Sequence, residues 1–121
     1  MTKKEFEKLA EDIIILDGAT GSNLIKAGMP RGICTEQWIL ENEQVVIDLQ
    51  RAYVEAGSQI VCAPTFGANR RNLTSHGLQD KLADMNKRLV DISRRATEGR
   101  AYVAGDMSTG GVAIGSAPDA T

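Results

Sequence analysis

The stretch IIILDGATGS, residues 13–22, decides the fold class and supplies the first candidate site. Four consecutive large apolar residues, three of them β-branched, predict a strand buried on both faces, as in parallel sheets. An acid and two glycines follow, and the Ser-Asn pair at 22–23 can cap a helix. A strand that runs into a glycine-rich turn before a helix directs backbone N–H groups at whatever lies beyond the turn. We therefore expect a binding site at 17–22, although Asp-Gly is also common in ordinary turns.

Length and composition are those of one small globular domain. The chain has 121 residues, 42% hydrophobic and 25% charged, and a net charge of −2 with acids and bases mixed along it. This balance favours neither nucleic acid nor an anionic membrane as a partner. No apolar run approaches the roughly 20 residues of a membrane span, and the N-terminus is too polar for a secretory signal. Cys34 and Cys62 lack CxxC spacing, so we expect free thiols in a cytoplasmic protein rather than a disulfide or a metal pair.

Hydrophobic periodicity predicts alternating helices and strands over most of the chain. Helices are predicted at 3–11, 24–27, 43–56 and 78–97, and strands at 13–16, 58–63 and 101–105. Residues 29–41 are expected to be irregular, with Trp38 in a loop, residues 73–77 to be a connecting turn, and the last ten residues to be a loop. This order predicts parallel strands joined by right-handed crossovers. A doubly wound sheet and a (β/α)8 barrel both begin in this way, and no GxGxxG or Walker spacing follows the first strand.

Three loops at predicted strand ends together resemble one family. They are ILDGATGSNL (15–24), APTFGANR (63–70) and AGDMSTGG (104–111), with YVEAGSQIV (53–61) and HGLQDKL (76–82) in the expected places between them. This set resembles the homocysteine S-methyltransferase family, the domain type of cobalamin-dependent methionine synthase and betaine–homocysteine methyltransferase. The resemblance implies an α/β fold in which parallel βα units form the first part of a (β/α)8 TIM barrel. Since such a barrel needs about 250 residues, we expect about three strands of an incomplete barrel, with residues 1–121 as its N-terminal portion and no second domain.

The resemblance also implies an activity and its cofactors. The full-length parent would move a methyl group to the thiol of homocysteine, a small-molecule substrate, in methionine synthesis. Zinc held by three cysteines late in the domain would deprotonate that thiol. The methyl group would be delivered by a corrinoid or folate module, and a corrinoid protein would then be a partner. Alternatively, the methyl donor would be an onium compound. Cys34 and Cys62 do not match the zinc cysteines, so we expect no metal ligand, no catalytic residue and no activity in this chain alone.

The implied substrate-binding residues lie in the same three loops. The acid of the first loop would accept a hydrogen bond from the substrate ammonium, and backbone N–H groups beside it would bind the substrate carboxylate. Side chains of the second loop would line the pocket, and the acid of the third would orient groups at the site. The expected set is Asp17, Gly18, Ala19, Thr20, Gly21, Thr65, Phe66 and Asp106.

Two departures from the family pattern leave other interpretations open. Pro64 stands where many members have Asn, and Met107-Ser108-Thr109 stands where many have Ile-Gly-Pro. A related methyltransferase with a different thiol acceptor is one alternative. A non-catalytic half-barrel that serves binding or assembly is another. In either case, open strand edges and uncovered apolar faces predict a homo-oligomer.

Overall fold

The computed structural model describes residues 1–109, so the expected loop over the last ten residues lies outside the described part. Six helices and two strands follow one another in that part, with a single 3₁₀ turn before the last helix. They are α1 Lys3–Leu9, α2 Gly21–Lys26, α3 Thr35–Glu41, α4 Glu43–Ala56, β1 Ile60–Cys62, α5 Arg70–Ser75, the 3₁₀ turn Gln79–Lys81, α6 Leu82–Thr97 and β2 Tyr102–Ala104.

The sheet is parallel, which confirms the predicted α/β class. β1 and β2 pair in parallel. The end of the first apolar stretch lies along the other edge of β1, where Leu16 and Ile60 form a parallel bridge. Backbone hydrogen bonds continue the pairing, from Gln59 N–H to the Ile15 carbonyl at 2.7 Å and from Asp17 N–H to the Ile60 carbonyl at 3.1 Å. Three extended segments therefore lie side by side in chain order.

The prediction that residues 13–16 form a strand buried on both faces is wrong for this structure. Ile13 is 83% exposed, and Ile15 and Leu16 are 52% and 53% exposed. The stretch pairs with β1 only at its end, around the bridge between Leu16 and Ile60. Burial on both faces requires a layer on each side of the sheet, and residues 1–109 place no such cover over these side chains.

The hydrophobic core lies between α4 and α6. α6 packs against α3, α4 and both strands. Its apolar residues recur at helical spacing, and the helix ends where Glu98 adopts a φ of 49° and Gly99 a φ of 76°. Among residues 1–109, no helix is long and apolar enough to span a membrane. The largest core cluster consists of Leu24, Met29, Ile39, Val46, Ile47, Ala68, Leu89, Ile92 and Ala96.

Residues 35–41 form a helix, so the prediction that 29–41 is irregular is wrong over its second half. α3 buries Ile39, and Trp38 is half-buried on this helix against the core rather than in a loop. Pro30 and Gly32 suggested irregular chain, but both lie before the helix begins. Asn42 has the predicted N-cap position of α4, yet its side chain makes no cap bond and instead donates to the Trp38 carbonyl at 2.9 Å.

The turn predicted at 73–77 is also largely helical. α5 spans Arg70–Ser75, and the Asn69 side chain caps it by accepting the Asn72 N–H at 2.8 Å. The turn itself is limited to the end of this helix, where Gly77 has a φ of 71°. The helix predicted from residue 78 begins at Leu82, because the residues before it form the 3₁₀ turn.

Candidate functional site

A cleft of about 630 Å³ opens at the carboxyl ends of β1 and β2. In α/β folds this end of the strands is where ligands bind. Four of the eight expected site residues line the cleft: Thr20, Gly21, Phe66 and Asp106. The side chain of Phe66 is 61% exposed there. The structure thus brings residues from all three predicted loops to one cleft.

Asp17 lies next to the cleft, where its side chain contacts Cys62. Its Oδ2 atom accepts the Cys62 backbone N–H at 3.2 Å, and Gln50 Nε2 donates to the Cys62 carbonyl at 3.0 Å. Cys62 lines the cleft, whereas Asp17 is not among the lining residues. Burial raises the pKa of the Cys62 thiol, and the carboxylates of Asp17 and Asp106 raise it further. The thiol therefore stays protonated at neutral pH, which makes Cys62 a poor nucleophile and a poor metal ligand.

The loop after Asp17 is held by side chains from two helices. Tyr53 Oη donates to the Ala19 carbonyl at 2.7 Å, and Asn23 Nδ2 donates to the same carbonyl at 2.8 Å. A Cβ atom on Gly18 would lie 3.0 Å from Tyr53 Oη, so a side chain at this position would require Tyr53 to shift slightly. In a trans peptide the N–H points opposite to the carbonyl. Fixing the Ala19 carbonyl therefore directs the N–H of Thr20 away from Tyr53.

The backbone N–H groups of this loop are available to a ligand. None of the N–H groups of Gly18, Ala19 and Thr20 donates to an acceptor within residues 1–109. Of these three residues, Thr20 lines the cleft. Unpaired backbone N–H groups suit an anion such as a carboxylate.

Thr65 joins the second loop to the third instead of lining the cleft. Its hydroxyl donates to the Asp106 carbonyl at 2.9 Å and accepts the Asp106 N–H at 3.0 Å. Thr65 is buried, and Asn69 Nδ2 adds a second link between the loops through Ser108 Oγ at 3.0 Å. These bonds fix the position from which Asp106 faces the cleft.

Glu36 is a buried acid in the cleft lining that the sequence analysis did not predict. It lies in the first turn of α3, lines the cleft and is only 5% exposed. A Cβ atom on Gly67 would overlap Glu36 Oε1, so the absence of a side chain at Gly67 makes room for this carboxylate. Burial raises the pKa of the Glu36 carboxyl, and its own backbone N–H and the nearby His76 oppose that shift. Since residues 29–41 were predicted to be irregular, no periodic pattern indicated that this acid is buried.

The described residues do not fit a zinc site. Within residues 1–109, no group of three or more His, Cys, Asp or Glu side chains lies close enough together to hold a metal ion. Cys34 packs in a second apolar cluster with Leu73, Leu78 and Met85, and burial raises the pKa of its thiol. Cys34 and Cys62 are both free.

A family model described as homocysteine S-methyltransferase matches residues 14–120. The methionine synthase of Mycobacterium leprae is 33% identical over 116 residues, and that of Mycobacterium tuberculosis is 30% identical over 114. The S-methylmethionine–homocysteine S-methyltransferase BHMT2 of Pongo abelii is 31% identical over 98 residues. These alignments cover 86%, 84% and 79% of this chain but only 10%, 10% and 26% of the relatives.

Two solved structures resemble this one. The homocysteine methyltransferase MmuM from Escherichia coli in its metallated form gives a TM-score of 0.72 at 23% identity, with 84% of this chain and 40% of that chain covered. Its oxidized form gives 0.68 at 23% identity, with 83% and 39% covered. At this identity the likeness shows a shared fold. The chain spans well under half the length of each of these proteins.

Proposed function

Because this chain belongs to the homocysteine S-methyltransferase family, we propose that it forms the amino-acid-binding part of an enzyme that methylates the thiol of homocysteine. The observation that carries this proposal is the loop 18–20, whose backbone N–H groups are unpaired within residues 1–109 and whose Ala19 carbonyl is fixed by Tyr53 and Asn23. Thr20 and Gly21 bring this loop to the cleft. The site therefore offers anion-binding groups beside carboxylates, which suits a zwitterionic amino acid.

The fold part of the proposal is that the three extended segments are the first strands of a (β/α)8 barrel. Their parallel pairing in chain order supports this arrangement. So does the exposure of Ile13 and Leu16, because a barrel would cover these side chains with further strands.

Several of the expected site residues have a specific part in the proposed substrate binding. Asp17 accepts a hydrogen bond from the substrate ammonium through Oδ1, since Oδ2 is occupied by the Cys62 N–H. The N–H groups of the loop 18–20 hold the carboxylate. Phe66 packs against the aliphatic part of the substrate, and Asp106 is held in place through Thr65. These contacts hold the thiol in a fixed orientation relative to the methyl donor. Such orientation lowers the barrier to the transfer.

Zinc and the methyl donor would come from outside the described residues. A coordinated zinc would supply a thiolate at neutral pH. No group of side chains that could hold zinc lies within residues 1–109. The methyl group would be delivered by a corrinoid or folate module.

Calorimetric titration of the chain with reduced L-homocysteine tests the proposed function. We expect saturable binding at one site per chain, and weaker binding of the analogue 3-sulfanylpropylamine, which lacks the carboxylate. If homocysteine does not bind, or if the two ligands bind equally, the loop 18–20 is not an amino-acid site.

We expect the purified chain to retain less than one equivalent of zinc after dialysis without chelator. Zinc sites need three or four ligands in tetrahedral geometry, and Cys34 and Cys62 lie on separate elements, each with a thiol pKa raised by burial. Metal analysis by mass spectrometry measures this directly. One tightly held zinc per chain would contradict our interpretation of the two cysteines.

The exposed apolar residues 13–16 favour self-association. Self-association is expected both of an incomplete barrel and of an assembly module. We expect the chain to form dimers at micromolar concentration in sedimentation experiments, because Ile13, Ile15 and Leu16 expose apolar surface along an unpaired strand edge. The substitution Ile15→Lys should shift the chain toward monomer, whereas Ile25→Lys, at an exposed position on α2, should not. A cooperative monomer at all concentrations would contradict this expectation.

A further inference from the structure

Glu36 is a buried carboxylate whose partners do not account for its burial. Only 5% of its surface is exposed to solvent. The one hydrogen bond that its carboxylate makes to another residue within 1–109 is long, 3.5 Å from Asn72 Nδ2 to Oε1. Asn72 Nδ2 makes a much shorter bond, 2.7 Å, to the Gly67 carbonyl. None of the ion pairs formed among residues 1–109 includes Glu36.

A carboxylate in this position is costly to the fold. Removing a charge from water without a good partner is unfavourable in proteins, and the raised pKa of Glu36 reflects that burial. A neutral residue of the same shape would fill the space beside Gly67 equally well. Groups that destabilise a fold while facing a cleft are characteristic of ligand-binding sites.

We propose that Glu36 binds the ammonium group of an amino-acid ligand in the cleft. The inference rests on the proposed function, because it takes the ligand to be an amino acid. An ammonium group has three N–H donors and can therefore satisfy more than one acceptor. Within residues 1–109, neither Arg71, which lines the same cleft, nor the nearby His76, which opposes the rise in the Glu36 pKa, forms an ion pair with Glu36. A direct cationic contact is therefore left to the ligand.

The test compares two ligands that differ only in the ammonium group. L-homocysteine and its deaminated analogue 4-sulfanylbutanoate are titrated into the wild-type chain, into Glu36→Gln and into Glu41→Gln. Glu41 is the matched control, because it lies on the same helix and is exposed. We expect Glu36→Gln to bind homocysteine about 10- to 100-fold more weakly, the range for a lost charged hydrogen bond. Its affinity for the analogue should match that of the wild type, and Glu41→Gln should change neither.

Thermal stability separates ligand binding from structural support. Glu36→Gln removes a poorly paired buried charge and keeps the side-chain shape, so its melting temperature should equal or exceed that of the wild type. If Glu36→Gln lowers the melting temperature and weakens the binding of both ligands equally, then Glu36 supports the loop around Gly67 instead of binding the ligand. That result would overturn the inference. Unchanged homocysteine affinity in Glu36→Gln would overturn it while leaving the proposed function intact. A wild-type chain that fails to bind homocysteine would overturn both.

Discussion

Asp17→Asn is expected to weaken homocysteine binding by about 10- to 100-fold while leaving the melting temperature nearly unchanged. The loss corresponds to about 1.5–3 kcal/mol, the usual range for a hydrogen bond to a charged group. Asn has the same shape as Asp, and its amide oxygen can still accept the Cys62 N–H that Asp17 accepts at 3.2 Å. The substitution therefore removes the charge offered to the substrate ammonium and keeps the link to β1. Titration calorimetry and thermal unfolding measure the two effects separately.

The same variant has a second readout that requires no ligand. The Asp17 carboxylate raises the pKa of the Cys62 thiol, so its removal should lower that pKa toward the ordinary value and speed alkylation of Cys62 at a fixed pH. Cys34, buried in the second apolar cluster, serves as the internal control. An Asp17→Asn variant that melts early but binds homocysteine normally would show that Asp17 only stabilises its turn.

Leu89→Ala is expected to produce the largest loss of stability. Leu89 lies on α6, is fully buried and belongs to the core between α4 and α6. Truncating a buried leucine typically costs about 2–5 kcal/mol, from lost burial and the cavity left behind. Because small domains have only about 5–15 kcal/mol in total, chemical denaturation should show a greatly reduced midpoint.

The matched control for this prediction is Leu9→Ala. Leu9 lies on α1, a helix without any buried residue, so the same truncation there should change the unfolding free energy by less than about 1 kcal/mol. Equal effects at Leu89 and Leu9 would mean that the chain lacks the core described for it.

The sequence predicts the elements whose periodicity and end signals agree. α4 and α6 have apolar residues at helical spacing and end at or next to a glycine with positive φ, Gly57 and Gly99, so their ends are close to the predicted ones. α3 was missed because seven residues contain too few turns to establish a helical period. Burial of residues 13–16 was predicted wrongly because an apolar run shows a preference for burial and does not show whether other elements are available to cover it.

The candidate site was only partly predictable for a similar reason. The strand-end loops and the family resemblance correctly predicted that Thr20, Phe66 and Asp106 lie at the carboxyl end of the sheet. The burial of Glu36 arises from contacts with Gly67 and Asn72, which are distant in sequence. The role of Tyr53 in fixing Ala19 is likewise a tertiary contact between α4 and the first loop. Spacing along one helix does not reveal such contacts.

Nuclear magnetic resonance can show residue by residue whether the loop after Asp17 and the adjoining cleft bind homocysteine. An isotope-labelled chain is titrated with reduced L-homocysteine while the backbone amide signals are followed. We expect the largest shifts at Gly18, Ala19 and Thr20, whose N–H groups are unpaired within residues 1–109, with further shifts at Phe66 and Asp106. Amide signals that do not move, or that move only at positions remote from the cleft such as those of α1, would contradict the account.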